Sequence, residues 1–325
     1  MTAQDRKYDQ LPRPGVINFD DDDETPRWQP QAPAASPVAE EAADASPAFD
    51  FISLGSGSSG NCAYLGVPGS GGILIDAGVD PEVVFAALRR HGVTPEMIRG
   101  IVLTHDHKDH VSYAYTIVRK NKHIPIYCTM RLLKGWLRRS RVSRRVQDYV
   151  KPIYKETPFT VAGMTVTAFE TSHDGSDNMG FSITRDGRTF VVATDMGRIT
   201  PRAEHYMSQA HFLMIESDYD IHMLESGRYP EMLKHRIRGE QGHLDNEASA
   251  RFVVDHYHAE LRYVWLCHLS AENNTPELAV QTMTAALTAR GLTVGDGSNA
   301  PEQRDRDVQV YALPRFEPST FFVVN

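Results

Sequence analysis

Short apolar runs divide the chain beyond residue 50 into predicted strands, because each run is bounded by glycine, proline or charged residues. Continuous runs of this kind are typical of strands that are buried on both faces. The Asp186-Gly187 pair lies between two of the runs and predicts a tight hairpin turn. The predicted strands cover residues 51–54, 73–76, 100–104, 124–128, 181–184, 189–193, 212–215, 263–267 and 308–312.

Helical segments lie between these strands. Asp80 is placed to cap a helix over 81–90, and Gly92 follows the end of that helix. Because strands and helices are interspersed along the body of the chain, the pattern predicts an α/β protein in which two sheets are covered by outer helices. The other predicted helices cover 131–150, 246–258 and 276–290.

The acidic net charge of −8 belongs to the N-terminal segment rather than to the body of the chain. Residues 1–50 hold 11 Asp and Glu against 4 Lys and Arg, a net of −7, so the remaining 31 acidic and 30 basic residues sum to −1. The segment 1–49 is rich in Pro, Ala, Asp and Glu and poor in large apolar side chains. We therefore predict a disordered tail over 1–49, with no protein partner indicated for it, and a folded domain over 50–325.

The cysteine pattern and the hydropathy of the chain predict its cellular compartment. Cys62, Cys128 and Cys267 share no Cys-x-x-Cys spacing, so we expect buried free thiols, which suit a reducing environment. The polar N-terminus lacks the apolar core of a signal peptide, and no stretch approaches the roughly 20 apolar residues that span a bilayer. The sequence predicts a soluble, cytoplasmic protein with no membrane partner.

The candidate chemistry is concentrated directly after the strand at 100–104. His105, His107, Asp109 and His110 lie within six residues, and imidazole and carboxylate are ligands that suit zinc and related divalent ions. In an extended turn, His105 and His107 project to one side and can hold one ion. Asp109 and His110 lie one turn further on, where they can hold a second ion.

Later residues could complete this cluster. His173, Asp195 and His268 each follow an apolar strand, and ligands gathered at one edge of a sheet are what a shared metal pocket requires. His243 does not follow such a strand. Taken alone, each of these residues is better explained as an ordinary surface, core or turn residue. The dense cluster that precedes them is what favours metal binding.

The 104–110 pattern, with the later His173, Asp195 and His268, resembles the His-x-His-x-Asp-His signature of the metallo-β-lactamase fold. The similarity covers roughly residues 51–315 and implies a four-layer αββα architecture, in which two mixed sheets are flanked by helices. Further segments are similar to the narrower YycJ/WalJ-like branch of that fold. These segments are 57–61, 76–78, 171–174, 194–195, 216–218, 223–230, 268–270 and 273–278.

The resemblance also implies roles for single residues. It implies two divalent ions, Zn²⁺ or Mn²⁺, that activate a hydroxide for hydrolysis. His243 would lie outside the ligands and contact the scissile phosphate or protonate the leaving group, with metal ligation and a structural role as alternatives. Asp109 could also take a proton from the attacking water. The implied ligands are His105, His107 and His173 for one ion, Asp109, His110 and His268 for the second, and Asp195 as the bridge.

A stretch of one charge sign follows the metal motif, because ten Lys and Arg and no acidic residue lie between Asp109 and Asp148. Such a patch suits a polyanionic backbone, and Trp136 and Tyr149 could stack against bases. We therefore expect a nuclease, and the resemblance points to DNA exonuclease activity. The alternatives are an RNA-processing nuclease, a hydrolase of a cyclic phosphodiester or a thioester, and a patch that is only solvated. The predicted substrate contacts are Ser58, Ser59, Asn61, Arg138, Arg139 and Arg228.

Overall fold

The computed structural model describes residues 48–298 and 300–325. The predicted disordered tail, 1–49, lies outside the described residues except for its last two, which are buried. Phe49 already belongs to the first strand, so the folded body begins slightly before the apolar run that indicated it.

The first of two mixed sheets has seven strands in the order β15-β1-β2-β3-β4-β5-β6. Neighbouring strands from β15 to β3 pair antiparallel, and those from β3 to β6 pair parallel. The strands are β1 (Phe49–Gly55), β2 (Cys62–Val67), β3 (Gly71–Ile75), β4 (Ile98–Val102), β5 (Ile126–Cys128), β6 (Val150–Pro152) and β15 (Phe322–Val324).

The second sheet has eight strands in the order β13-β14-β12-β11-β10-β9-β8-β7. Strands β7 to β10 pair antiparallel, and β10 to β14 pair parallel. The hairpin between β9 and β10 is confirmed: Asp186 (φ 48°) and Gly187 (φ 75°) both take the positive φ of a primed turn. The strands are β7 (Phe159–Val161), β8 (Met164–Glu170), β9 (Met179–Arg185), β10 (Arg188–Ala193), β11 (Phe212–Glu216), β12 (Tyr263–Cys267), β13 (Val294–Gly295) and β14 (Val308–Ala312).

Helices cover the outer faces of both sheets. The helix predicted over 81–90 has these bounds, and the Asp80 carboxylate accepts a hydrogen bond from the Glu82 amide (2.8 Å). Within residues 48–298 and 300–325, no helix is long and apolar enough to cross a membrane. The helices are α1 (Pro81–Arg90), α2 (Lys108–Val111), α3 (Ala114–Lys120), α4 (Met130–Arg139), α5 (Pro201–Met207), α6 (Ile221–Ser226), α7 (Glu231–Arg238), α8 (Asn246–Asp255), α9 (Pro276–Ala289) and α10 (Pro301–Arg304).

The long basic helix predicted over 131–150 is wrong. Helix α4 ends at Arg139, and a short 3₁₀ helix follows over Arg144–Tyr149. The backbone amide and the hydroxyl of Ser140 both donate to the Trp136 carbonyl (3.0 and 2.8 Å), and the backbone of Ser140 is extended (φ −122°, ψ 163°), which ends the helix. Serine competes with the backbone in this way, so it favours a helix end over a helix interior.

Strand residues of the second sheet alternate between two apolar layers, which explains their continuous apolar runs. In β10, Phe190 and Val192 face the first sheet, whereas Val191 and Ala193 face the outer helices. Phe190 and Trp265 of the second sheet pack against Phe51 of the first, with ring centres 5.0 and 4.6 Å from it. Burial on both faces fixes the register of these strands and therefore the position of their ends.

Candidate metal centre

The candidate centre lies where parallel strands of both sheets end. Strands β3 and β4 run parallel in the first sheet, and β10, β11 and β12 run parallel in the second. Parallel strands present their carboxyl ends at one sheet edge, and side chains from the two edges contact each other here. The residues at or just after these strand ends are Asp76, His105, Asp195, Glu216 and His268.

Three of these strand-end residues have left-handed backbone conformations. The φ angles are 60° at Asp76, 53° at Asp195 and 56° at His268. Residues other than glycine adopt this backbone conformation at a cost of order 1–3 kcal/mol, and residues strained in this way cluster at functional sites. The strain therefore points to this edge independently of the histidine pattern.

The first candidate ligand group is formed by His105, His107 and His173. One ring nitrogen of each lies within 4.8 Å of those of the other two. The His107 Nδ1 and His173 Nε2 atoms are 3.2 Å apart, and the ring centre of His105 lies 4.6 and 5.0 Å from those of His107 and His173. The sequence-predicted first set is therefore assembled in space.

The second candidate group is formed by Asp109, His110 and His268. Asp109 Oδ2 lies 3.5 Å from His110 Nε2 and 3.7 Å from His268 Nε2. Asp195 lies between the two groups: its carboxylate is 3.7 Å from His173 Nε2, 3.3 Å from His110 Nε2 and 3.5 Å from His268 Nε2. This is the position that a bridging carboxylate requires.

The ring nitrogens on the far side of these imidazoles contact other protein groups. His107 Nε2 lies 3.1 Å from the Asp174 carboxylate, and His110 Nδ1 lies 2.7 Å from that of Asp76. His173 Nδ1 donates to the Gly242 carbonyl at 3.0 Å. Outer contacts of this kind fix the tautomer and orientation of metal-binding histidines.

The inward nitrogens fit a divalent ion. His105 Nε2 and His268 Nε2 are buried, and neither has a hydrogen-bond partner among the described residues. A buried polar atom without a partner costs free energy unless something else satisfies it. Clustered imidazole nitrogens and carboxylate oxygens are a donor set for zinc or manganese, so the residues present fit such ions.

Burial alone would lower the pKa values of His110 and His268, but Asp195 and the other nearby carboxylates raise both, so a bound ion would have to displace a proton from each ring. The pKa values of His105 and Asp195 suit metal binding directly. Burial, helped by the nearby His110, lowers the pKa of His105 well below its ordinary value, so this ring is held in the neutral form that binds metals. Burial alone would raise the pKa of Asp195, but His268 and His110 hold it well below its usual range. The Asp195 carboxylate, which lies between the two groups, therefore carries a negative charge.

Glu216 is a site residue that sequence reasoning missed as a functional group. Its Oε1 atom lies 2.7 Å from His243 Nδ1 and 3.3 Å from His268 Nδ1. Its Oε2 atom accepts hydrogen bonds from the amides of Met196 (2.6 Å) and Leu244 (3.2 Å). Glu216 ends β11, so the strand-exit rule that selected His268 would have selected it too.

His243 is held against the second group by this glutamate. Its ring stacks on His268, with centres 5.1 Å apart and planes 13° apart. Burial alone would lower the pKa of His243, but Glu216 and the nearby Asp218 raise it to about 9. Its ring nitrogen also lies within 4.8 Å of ligand atoms of Asp195, Glu216 and His268, so geometry leaves metal ligation open beside an acid role.

The predicted substrate contacts are divided between different places. Ser58 and Ser59 are exposed, whereas Asn61 is buried and its amide donates to Asp109 Oδ2 (3.2 Å) and lies 2.9 Å from His110 Nε2. Arg228 is exposed between α6 and α7. Arg138 and Arg139 are adjacent but line different cavities, and only that of Arg139 reaches a candidate ligand.

The structure also bears on Trp136 and Tyr149, the two residues predicted to stack against bases. Trp136 is 2% exposed, so its ring is part of the core and cannot stack freely on a base. Tyr149 is half-buried and contacts Tyr115 edge-to-face (6.2 Å). The three cysteines are buried free thiols, as predicted.

Comparison with known proteins agrees with this geometry. A family model described as a beta-lactamase superfamily domain matches residues 72–268. The chain belongs to the metallo-β-lactamase superfamily. It is 30% identical over 247 residues to the exodeoxyribonuclease YycJ of Bacillus anthracis, covering 76% of this chain and 92% of that protein. It is 31% identical over 248 residues to the exodeoxyribonuclease WalJ of Streptococcus pneumoniae, covering 76% of this chain and 91% of that protein.

The solved metallo-β-lactamase-fold protein YhfI of Bacillus subtilis aligns with a TM-score of 0.58 and 14% identity, over 83% of this chain and 99% of that one. The predicted αββα fold and the resemblance to the YycJ/WalJ-like branch are thereby confirmed. Membership of this metallohydrolase superfamily implies divalent metal ions, and the His and Asp groups described above are the candidate ligands.

Proposed function

We propose that this metallo-β-lactamase-fold chain is a dinuclear, metal-dependent phosphodiesterase that acts as a DNA exonuclease. The observation that carries the proposal is the arrangement of two three-residue ligand groups on either side of the Asp195 carboxylate. The printed activity of the two relatives at about 30% identity supports the choice of DNA.

The proposed ligands are those predicted from the sequence. His105, His107 and His173 would hold one ion, Asp109, His110 and His268 the other, and Asp195 both. When bound, two divalent cations polarise a phosphodiester and make water a nucleophile near neutral pH.

Two residues of the chain would handle protons. Asp109 has one oxygen beside His110 and His268, and it is about one-fifth exposed, so it can contact incoming water. His243 has Nδ1 engaged by Glu216, which leaves Nε2 to donate a proton to the departing oxygen. General acid catalysis of this kind contributes roughly 10²–10⁴ in rate.

Positive charge near the centre suits an anionic substrate. Helix α4 carries Arg131, Lys134, Arg138 and Arg139, and Lys108 directly follows the ligand His107. A surface of one charge sign beside a pocket raises the local concentration of a polyanion and makes binding salt-dependent.

The test is metal analysis combined with digestion of end-labelled single- and double-stranded DNA and RNA. We expect about two ions per chain, and stepwise shortening of DNA that chelation abolishes and Zn²⁺ or Mn²⁺ restores. RNA shortened faster than DNA would favour the RNA-processing alternative. A metal-free protein that stays inert with either ion would overturn the proposal, as would hydrolysis of a thioester or cyclic phosphodiester alone.

A further inference from the structure

A groove of about 810 Å³ opens beside the candidate ligand His107, and we call it the α4 groove. Its walls are Tyr115 of α3 on one side and Trp136, Arg139 and Val142 of α4 and the following loop on the other. The volume falls within the roughly 300–1,000 Å³ of small-molecule pockets. Because His107 lines it, the groove is continuous with the candidate metal centre.

The lining combines apolar and cationic side chains. Tyr115, Trp136 and Val142 supply apolar surface, and Lys108, Arg139 and Arg141 supply positive charge. Among the described residues that line the groove, only Asp106 is acidic. Its carboxylate lies 3.5 Å from Arg139 Nε. The groove therefore suits a ligand that carries an apolar ring and a negative charge.

Arg139 is held at the junction of the groove and the metal centre. Besides its contact with Asp106, its Nη2 donates to the Asp174 carbonyl (3.1 Å). Asp174 in turn lies 3.1 Å from His107 Nε2. An arginine fixed in this way presents its charge at one place, beside the candidate ligand His107.

A second cavity lies on the other side of α4 and contains four cations. It encloses about 420 Å³, is lined by Arg131, Lys134, Arg138 and Arg144 with Leu137 and Gln147, and includes no acidic residue among these. Arg131, Lys134 and Arg138 repeat at helical spacing along one face. No aromatic side chain and no candidate metal ligand lines this cavity, and in both respects it differs from the α4 groove.

We propose that the α4 groove is a nucleoside-binding subsite that takes the base and sugar of the nucleotide beside the scissile phosphate. This inference rests on the proposed nuclease function. The base would pack against Tyr115, the only half-buried aromatic ring among the groove residues named above, while Trp136 forms the buried floor. Arg139 and Arg141 would contact the adjoining phosphates, and the cavity beyond α4 would receive the strand further along.

The sharpest test compares a DNA end that has a base with one that lacks it. Initial rates would be measured on end-labelled single-stranded oligonucleotides with normal termini and on the same oligonucleotides with a tetrahydrofuran abasic terminus. We expect removal of the base to raise KM roughly ten- to hundredfold, the range for losing one base–aromatic stack. Tyr115→Ala should raise KM by a similar factor on normal ends and change it little on abasic ends.

Two variants serve as controls. Tyr115→Phe keeps the ring and should behave as wild type. Tyr154→Ala removes a tyrosine that is 68% exposed and outside the groove, and it should leave both substrates unaffected.

A third variant guards against a folding failure of Tyr115→Ala. Arg141 is exposed, so Arg141→Ala is expected to fold and to lower the slope of log affinity against log salt by about one.

The outcomes separate the two proposals. If wild type shortens normal and abasic ends equally, and Tyr115→Ala does the same, the subsite is wrong although the nuclease stands. If wild type hydrolyses bis(4-nitrophenyl) phosphate but no nucleic acid, the nuclease proposal itself has failed. An unchanged salt slope in Arg141→Ala would also contradict the assignment of the groove.

Discussion

The two sides of the metal centre are built in opposite ways. The side next to the first sheet takes His105, His107, Asp109 and His110 from one short segment after β4, which consists of a turn and helix α2. The side next to the second sheet takes His173, Asp195 and His268 from three strand ends, separated by 22 (195 − 173) and 73 (268 − 195) residues. The first side is therefore specified locally, whereas the second depends on the register of a whole sheet.

The supporting contacts differ in the same way. On the first side, Asp76 contacts both Thr104 and His110, with Asp76 Oδ2 2.8 Å from the Thr104 hydroxyl and 2.7 Å from His110 Nδ1. On the second side, Glu216 connects β11 to the His243 loop and to His268. A loop that stabilises itself can tolerate small shifts of its neighbours, but ligands on separate strands cannot.

The largest effect is expected where the two sides meet. Asp195→Asn should lose both ions and lower activity roughly a thousandfold or more, whereas His107→Ala and His268→Ala should each keep one ion. Metal content per chain and initial rates would be measured together. Asp186→Asn is the matched control, because Asp186 also has a positive φ but is 73% exposed in a hairpin turn. Two ions retained in Asp195→Asn would rule out a bridging role.

A smaller effect is expected from the supporting carboxylates. Glu216→Gln and Asp76→Asn should each weaken metal affinity or activity roughly 10- to 100-fold, because each orients a ligand histidine. Glu216→Gln should also slow the release of poor leaving groups more than that of good ones, since it acts on His243. If the two sides are independent, the effects of Glu216→Gln and Asp76→Asn on the free energy of metal binding or activation should add in the variant that carries both. Strong non-additivity would mean that the sides form one unit.

Two glycines test the rigidity of each side. A Cβ at Gly197 would lie 2.3–2.4 Å from backbone atoms of Gly239, Glu240 and Gly242, whereas one at Gly135 would lie 2.1–2.3 Å from side-chain atoms, namely Ser176 Oγ and Cβ and Asp106 Oδ2. Side-chain ends can move more easily than backbone.

We therefore expect Gly197→Ala to destabilise the protein by about 3 kcal/mol or more and Gly135→Ala by about 1–2 kcal/mol. Chemical denaturation would measure both values, with Gly187→Asn in the exposed hairpin turn as the control. The reverse order would contradict the view that the second side is the less tolerant one.

The smallest effect is expected from deleting residues 1–47, which the proposed mechanism does not use. Hydrolysis in vitro should stay within about twofold of the full chain. A loss of more than tenfold would contradict this expectation and would indicate catalytic or substrate contacts in this segment.

The sequence was most informative where structure is local. The apolar runs predicted the central strands because their burial on both faces leaves no polar positions, and Asp80 and Asp186-Gly187 marked a helix start and a turn. The first ligand loop was visible for the same reason. The predicted helix 131–150 is too long because helical spacing continues past Ser140, and spacing does not reveal the extended backbone of Ser140 that ends α4.

Contacts between residues far apart in the chain were harder to foresee. Glu216 ends β11 and contacts His243, which lies 27 residues later in the sequence. Asp76 directly follows β3 and contacts His110, which lies 34 residues later. Position among arginines predicts that Trp136 stacks on bases, but its side chain lies in the core. No sequence pattern selects Tyr115, because only the fold brings α3 opposite α4.

The left-handed backbone at Asp76, Asp195 and His268 has a consequence for how this fold changes over evolution. These positions suit glycine on conformational grounds, so the larger side chains are kept there by the contacts they make, Asp195 and His268 as candidate ligands and Asp76 through Thr104 and His110. A descendant released from catalysis could gain stability by replacing them with glycine. Glycine at these strand ends would then identify a relative that has exchanged its chemistry for a binding role, before any assay was made.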